Sequence, residues 1–441
     1  MILTHNNYIR HSTQIEVILD QRNYYLDYKQ GIEMSALGFT TKVVHSDHQL
    51  GLEAGAVHAP IHNSVPYGFE DVQGLIDVFQ GQPGHAYARS STPTLDALCK
   101  KIQKIDNGVA TAVFSSGMSA IVATFLTLLK AGDHLICSRF LFGNTTSLLT
   151  TLQGYDIEVT LVDATDIQAV ETALQVNTKM VFVETIANPV TQVSALVEIG
   201  DFCEQKGLVY VIDNTITSSY LFNASKVKAS LITTSLSKYV AGHGNAMGGS
   251  VTDTGLFNWE KYPNIYEGYR KGDSKLWGIS QIKKKGLRDM GACLSSQGAH
   301  LISVGSETME LRMDRQAVNT MALAELLQAH PKIAKVYYPG LVDHPQHQRA
   351  KELFNGFGAL LSFDLIDGID CCEFLNKLNL VISATHLGDN RTLALPVAPT
   401  IYFEMGLKLR QEMGISENMI RCSVGIENTA DLIADFEQAL A

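Results

Sequence analysis

Lys238 stands in an uncommon setting. The stretch TTSLSKYVAGHGN, residues 233–245, puts one lysine between two serines and a glycine-rich segment, directly after the apolar run 229–232. A lysine that serves only as a solvated charge needs no such neighbours. Two chemistries use them. In one, Ser235 and Ser237 form a phosphate-binding edge beside an amine that reacts with a carbonyl. In the other, Ser235-Leu-Ser-Lys238 is an S-x-x-K pattern, with Ser235 as nucleophile and Lys238 as base.

Three other short stretches end apolar runs in the same way. VYVIDNT sets Asp213 just after a buried strand, where a carboxylate needs a cationic or hydrogen-bonding partner. ETIANP, 184–189, sets Asn188 before Pro189. SSGMSAI, 115–121, is a strand, a Ser-Gly turn and a helix start, whose free amides at Gly117 and Met118 attract anions. Each alone is ordinary cap or turn chemistry. Together they supply a phosphate cradle, an amine, a carboxylate and an amide. A pyridoxal phosphate site asks for that set: a Schiff-base lysine, an anion for the pyridinium nitrogen and anchors for the phosphate. The serine-hydrolase alternative expects an S-D-N element and a K-T-G triad downstream, and the chain contains neither.

The elements that must position these residues alternate from 91 to about 290. Continuous apolar strands are expected at 110–116, 134–138, 158–163, 179–185, 208–213 and 229–235, with helices at 117–132, 167–175 and 194–207 between them. Such alternation predicts a mostly parallel sheet covered on both faces, with ligands beyond the carboxyl ends of its strands. From 292 to 441, long helices (307–329, 370–378, 428–441) mix with short strands such as 358–365, an expected α+β C-terminal domain. Residues 1–36 are polar and weakly periodic, read as a loosely ordered extension. Residues 37–90 are turn-rich, with Pro60, Pro66, Pro83 and Gly84, and read as an extended arm.

Composition narrows the classes. With 46% apolar residues among 441, the chain can bury a large core. A net charge of −11 argues against nucleic acid as the main partner, because phosphate neutralisation needs a basic face. Lys283-Lys-Lys285 reads as a solvated helix face. No apolar run reaches the roughly 18 residues of a membrane span, and the N-terminus does not read as a secretory signal. Seven cysteines, an odd number without a C-x-x-C pair, fit a reduced compartment, so a cytoplasmic enzyme is expected. His58-x-x-x-His62 lacks the Glu of a zinc helix, and His344-x-x-His347 has no completing cluster, so no metal is expected. GHGNAMGG is not G-x-G-x-x-G, which disfavours a dinucleotide fold.

From Gly38 to Ala441 the chain resembles the Cys/Met-metabolism (transsulfuration) family of pyridoxal-phosphate enzymes. An ordered set of motifs carries the resemblance: GFTTKVVHSD, YARSSTPT (87–94), SSGMSAI, ETIANP, VIDNT, SLSKYVAGHGN, YPGL with HP (338–345) and IRCSVGIENTADLIADFEQAL (420–440). The stretch FNWEKYPNIYEGY to SETMELRM is most similar to the O-acetylhomoserine sulfhydrylase branch. The resemblance implies an α/β large domain of the PLP-transferase, aspartate aminotransferase-like fold (fold type I), at 91–291, with the smaller α+β domain at 292–441 and the arm reaching a neighbouring subunit. It implies that Lys238 carries the cofactor and shuttles protons, that Asp213 holds the pyridine nitrogen protonated, and that Asn188 touches the ring hydroxyl. It further implies that Gly117, Met118, Ser235 and Ser237 hold the phosphate and that Phe142 stacks on the ring. Tyr87 and Arg89 would complete the phosphate site from a neighbouring subunit, giving a homodimer as the active unit within a homotetramer. Arg421 would clamp the substrate carboxylate, for which a guanidinium is suited.

Four departures from the family pattern concern substrate choice: Phe142 for Tyr, Thr92 for Asn, Leu395 in place of the His of a His-Pro pair, and His386 for Ser or Asn. The family's Tyr is held to protonate leaving groups. Without it, a carboxylate leaving group (conjugate acid near about 4) is favoured over a thiolate (about 8.5), a gap of roughly 6 kcal/mol in acidity. The expected activity is therefore O-acyl-L-homoserine sulfhydrylation, a γ-replacement giving homocysteine. Cystathionine β- or γ-lyase and methionine γ-lyase are the alternatives.

Overall fold

The computed structural model describes residues 25–26, 37–47, 51–53 and 55–441. The extension expected over 1–36 lies outside the described residues except at the strand β1 (Tyr25–Leu26), which pairs antiparallel with β2 (Leu52–Glu53). From 55 to 91 no residue is buried, and a short helix at Val72–Phe79 leaves Val72 and Phe79 exposed. The helix Phe39–His45, by contrast, packs on the chain's own body through buried Val43 and a Phe39–Tyr220 ring contact.

Seven strands build the central sheet: β3 (Ala110–Phe114), β4 (His134–Ser138), β5 (Glu158–Val162), β6 (Thr178–Glu184), β7 (Val209–Asp213), β8 (Leu231–Thr234) and β9 (Gly249–Asp253). Their spatial order is β3-β9-β8-β7-β6-β4-β5, all parallel except β9, which runs antiparallel to both neighbours. The continuous apolar runs have a simple cause. Side chains alternate across a strand, so Val181, Val183, Tyr210 and Ile212 enter one core while Met180, Phe182, Val209 and Val211 enter the other. Helix Leu196–Lys206 covers the first face with Leu196, Ile199 and Phe202. Helix Gly117–Leu128 covers the second with Ala120, Ile121 and Phe125. Each such large apolar side chain is worth roughly 2 kcal/mol against exposure. The sequence reading missed β9, because Gly249 and its hydroxyl residues look like loop. Paired on both sides, it needs no apolar run to be held.

The second sheet holds β10 (Ile333–Tyr337), β11 (Leu360–Leu365), β12 (Ile382–Ser383), β13 (Leu393–Pro396) and β14 (Met419–Ser423), in the order β10-β11-β14-β13-β12. Helices Met309–Ala329, Cys371–Lys377 and Thr429–Leu440 pack on it around Phe363, Phe374 and Phe436. The long helix also ties the two sheets together. Arg312 Nη2 reaches the carbonyls of Val240 (3.1 Å) and Gly305 (2.9 Å), and Gln316 Nε2 reaches that of Asp389 (2.8 Å). That clamp brings the segment 385–389 against the end of β8.

Candidate active site

A cavity of about 490 Å³ opens at the carboxyl ends of β6, β7 and β8, closed on its far side by Thr385, His386, Leu387 and Arg421. One wall is the start of helix Gly117–Leu128. Ser116 caps it, its Oγ accepting from the Ser119 amide (3.1 Å) while Ser119 Oγ accepts from the Ser116 amide (2.9 Å). The amides of Gly117 and Met118 are left without an intrahelical carbonyl. A Cβ on Gly117 would lie 2.7 Å from Ser235 Cβ, so only glycine lets this helix end meet the end of β8. The two serines after β8 differ. Ser235 faces the cavity with its amide tied to Thr215 Oγ1 (2.8 Å). Ser237 lines it too, yet its hydroxyl accepts from the Gly248 amide (2.9 Å) and donates to the Gly248 carbonyl (3.2 Å), so in this arrangement it braces the glycine turn.

Asp213 ends β7 and accepts from the Thr215 amide (2.9 Å). Beside it, in register on β6, is Glu184, which accepts from the Phe142 amide at 2.7 Å. Burial, then the neighbouring carboxylate, hold Glu184 well above the ordinary carboxylate range; burial also raises Asp213, against the pull of Thr215. No side-chain cation of the described residues pairs with either, an arrangement that calls for an incoming positive group. The Asn188 Oδ1 on the same rim is buried and unpartnered. Phe142 precedes helix Gly143–Gln153 and lines the cavity.

Lys238 Nζ lies 3.1 Å from His386 Nδ1. Burial and then the Arg421 charge lower its pKa from 10.5 to about 8, so a useful fraction is neutral amine. Its bond is to His386 and not to Ser235, which counts against a serine nucleophile activated by this lysine. Arg421, on β14, is 1% exposed. Its Nη2 bonds the carbonyls of Thr385 (2.9 Å) and His386 (3.1 Å), its Nε is buried without a partner, and burial lowers it to about 10. A buried guanidinium with no carboxylate bonded to it among the described residues is a place for a substrate carboxylate.

Lys238, Asp213, Asn188, Ser235, Ser237, Gly117, Met118, Phe142, His386 and Arg421 therefore meet at one cavity, although 304 residues separate Gly117 from Arg421. Tyr87 and Arg89 do not line it. They stack on each other at 5.4 Å, with Arg89 Nη1 3.5 Å from the Arg288 carbonyl. Of the four departures, only Phe142 and His386 reach the cavity. Thr92 is a buried helix cap bonded to the Leu95 amide and Ser296 Oγ, and Leu395 packs with Tyr337 and Tyr402. Within the chain, those two are engaged by packing and hydrogen bonds away from the cavity. Glu184 was the residue overlooked. Like Asp213, it is a charge that ends a buried apolar strand, and that signal could have found it. His344 lies against Thr191, and His58 near Glu307, so the paired histidines are engaged separately.

The unpartnered carboxylate pair, the orphaned Asn188 oxygen, the free helix amides and the depressed lysine all fit a phosphorylated aldehyde with a basic ring nitrogen. The comparisons agree. Residues 40–441 match the family model described as Cys/Met metabolism PLP-dependent enzyme. An L-methionine gamma-lyase of Fusobacterium nucleatum subsp. polymorphum is 34% identical over 93% of this chain and 99% of its own. A homocysteine synthase of Schizosaccharomyces pombe is 33% identical over 91% and 98%. A Campylobacter jejuni protein assigned as an O-acetylhomoserine (thiol)-lyase, solved with N'-pyridoxyl-lysine-5'-monophosphate, superposes with a TM-score of 0.86 at 29% identity over 92% of this chain and 100% of its own. The chain belongs to the Cys/Met-metabolism family of pyridoxal-phosphate-dependent enzymes, with the fold type I architecture.

Proposed function

We propose that this pyridoxal-phosphate enzyme of carbon–sulfur chemistry is an O-acyl-L-homoserine sulfhydrylase, replacing the γ-acyloxy group with sulfide to give homocysteine. Bound pyridoxal phosphate supplies an electron sink that acidifies hydrogens on the substrate's α-carbon. The chain's residues do the rest. Lys238 Nζ would hold the aldehyde and move protons at the substrate carbons. Asp213, with Glu184 beside it, keeps the ring nitrogen protonated. The Gly117 and Met118 amides and Ser235 take the phosphate, with Ser237 bracing the turn behind them, Asn188 bonds the ring hydroxyl, and Arg421 binds the substrate carboxylate.

Phe142 carries the choice of substrate. Among the chain's own described residues no phenol lines the cavity, so none of them replaces a tyrosine hydroxyl as acid for the leaving group. An acyloxy group departs as a weak base, whereas a thiolate is roughly 6 kcal/mol more basic and needs a proton. Thiol elimination is the second reading, supported by the similarity to L-methionine gamma-lyases.

Among the described residues no guanidinium of the same chain lies at the phosphate end of the cavity, which supports Tyr87 and Arg89 serving a neighbouring subunit in a homodimer or homotetramer. All seven cysteines are free, as a reducing, cytoplasmic setting would leave them, and no helix among the described residues is long and apolar enough to cross a membrane.

Product analysis by mass spectrometry tests the reading, with the holoenzyme given cystathionine and O-acetylhomoserine plus sulfide together. Homocysteine with acetate, and neither pyruvate nor 2-oxobutyrate, is expected. Pyruvate with homocysteine from cystathionine would make it a β-lyase and would defeat the Phe142 reasoning.

A further inference from the structure

Glu184 is the buried acid whose state the chemistry above leaves open. Residues in register on adjacent parallel strands point to the same face, so Glu184 and Asp213 set two carboxyls side by side on one cavity wall. The cations that share the cavity are engaged across it. Lys238 bonds His386, and Arg421 bonds the Thr385 and His386 carbonyls. One incoming ring cation can balance one carboxylate, not two.

The two acids are not equivalent. Asp213 is steadied as an anion by Thr215, whose amide it accepts at 2.9 Å and whose side chain also lowers its pKa. Glu184 Oε1 accepts from the Phe142 amide at 2.7 Å, and its Oε2 takes no bond from any donor of the described residues. Burial, then the Asp213 charge, favour the protonated form of Glu184. Tyr402, which feels the Glu184 charge, is spent on backbone. Its hydroxyl bonds the Asn188 carbonyl and lies 3.5 Å from the Leu141 carbonyl. The Leu141–Phe142 peptide is therefore held on both sides, its carbonyl facing Tyr402 and its amide bonded to Glu184.

We propose that Glu184 stays a neutral carboxylic acid in the loaded enzyme and acts as a positioning residue between Asp213 and Phe142. Its carbonyl oxygen keeps the Phe142 amide, and its hydroxyl donates to the Asp213 carboxylate. The acid keeps its proton throughout turnover. It ties the anion that faces the ring nitrogen to the segment that carries Phe142, and the site sets one negative charge against one positive. A hydrogen bond donated to Asp213 makes that carboxylate a weaker base, which leaves the proton on the ring.

This role rests on Asp213 facing the ring nitrogen, and the experiment separates the two. The holoenzyme is loaded with pyridoxal phosphate carrying nitrogen-15 in its ring, and the ring signal is recorded at pH 7 by NMR. The wild type shows a protonated nitrogen. Glu184→Gln, whose amide accepts from Phe142 and donates to Asp213 as a neutral acid does, keeps that signal and holds the cofactor Kd within about threefold. Glu184→Leu can do neither. Its signal moves toward the unprotonated position and its cofactor Kd rises about tenfold, as loss of a hydrogen bond to a charged group implies. A signal that moves in Glu184→Gln would overturn the neutral acid, because glutamine lacks only the charge of a carboxylate. A signal that stays put in Glu184→Leu would overturn the link to Asp213. A wild-type signal in Asp213→Asn would defeat the Asp213 reading itself, and this role with it. Infrared difference spectra of the holoenzyme, wild type minus Glu184→Gln, give an independent readout. They should show the C=O band of a protonated carboxyl at pH 7; carboxylate bands in its place would overturn the proposal. The glutamine variant and this band decide the protonation state even where the leucine variant does not fold.

Discussion

Glu184 and Asp213 are register partners on adjacent parallel strands, and both carboxyls are buried against one wall of the cavity. Burial raises both above their ordinary values of 4.5 and 3.8, and the Asp213 carboxylate raises Glu184 further, so the folded chain holds protons that the unfolded chain has released. A protonated ring nitrogen held beside Asp213, as proposed, would remove that conflict and make the cofactor a stabiliser of the fold as well as a reagent.

The sign of the pH effect follows. With folded pKa values above the unfolded ones, this pair's contribution is fully present below about pH 4 and is lost as pH rises through the raised values. The melting temperature of the cofactor-free protein should therefore fall as pH is raised from 4.5 toward neutrality. Glu184→Gln should flatten that slope, and so should bound cofactor. A pH series of melting curves on the three forms checks it; identical slopes would mean the pair does not titrate in this window.

Capture of the cofactor needs the neutral Lys238 amine. At pH 7 a lysine at about 8 is roughly one-tenth neutral, against about 0.03% for an ordinary lysine. Reconstitution of the cofactor-free protein, followed by visible absorbance, should speed up as pH rises through about 8 and then level off. Because the Arg421 charge helps lower this lysine, Arg421→Gln should move the midpoint upward.

Phe142→Tyr restores a phenol at the cavity. It should raise kcat/KM for cystathionine cleavage relative to O-acetylhomoserine sulfhydrylation by about 10- to 100-fold. Because the backbone bond from Phe142 to Glu184 survives the change, cofactor retention should be unaffected. A ratio that does not move would remove the ground for preferring the acyl ester.

If Tyr87 and Arg89 act in a neighbour's cavity, two inactive variants should complement each other. Arg89→Ala and Lys238→Ala, each inactive alone, should on mixing by co-expression regain about a quarter of wild-type activity, since a random mixed dimer carries one intact site. No recovery would place Arg89's role within its own chain.

The chain's local pattern was enough to reveal the parallel sheet. A buried strand in a parallel sheet must be apolar on both faces, so 179–185 and 208–213 could be nothing else, and the polar residues that end such runs had to lie on one rim. Lys238, Asp213, Asn188 and the helix start at Gly117 were legible for that reason, and the family motifs added Arg421. Strand β9 was hidden, since pairing on both sides stabilises a segment whose residue types do not announce a strand. Glu184 became Asp213's partner only through register, which depends on how two strands align. Thr92 and Leu395 show in the sequence only as departures from the family pattern, and their contacts within the chain, with Ser296 and with Tyr337 and Tyr402, come from packing. His386 reaches Lys238 only because Arg312, Gln316 and Arg421 draw a segment nearly 150 residues downstream onto the end of β8. Residue type and periodicity are local properties that a sequence displays directly. Which side chains share a cavity is decided by long-range packing and hydrogen bonds between segments, and these exist only once the chain has folded.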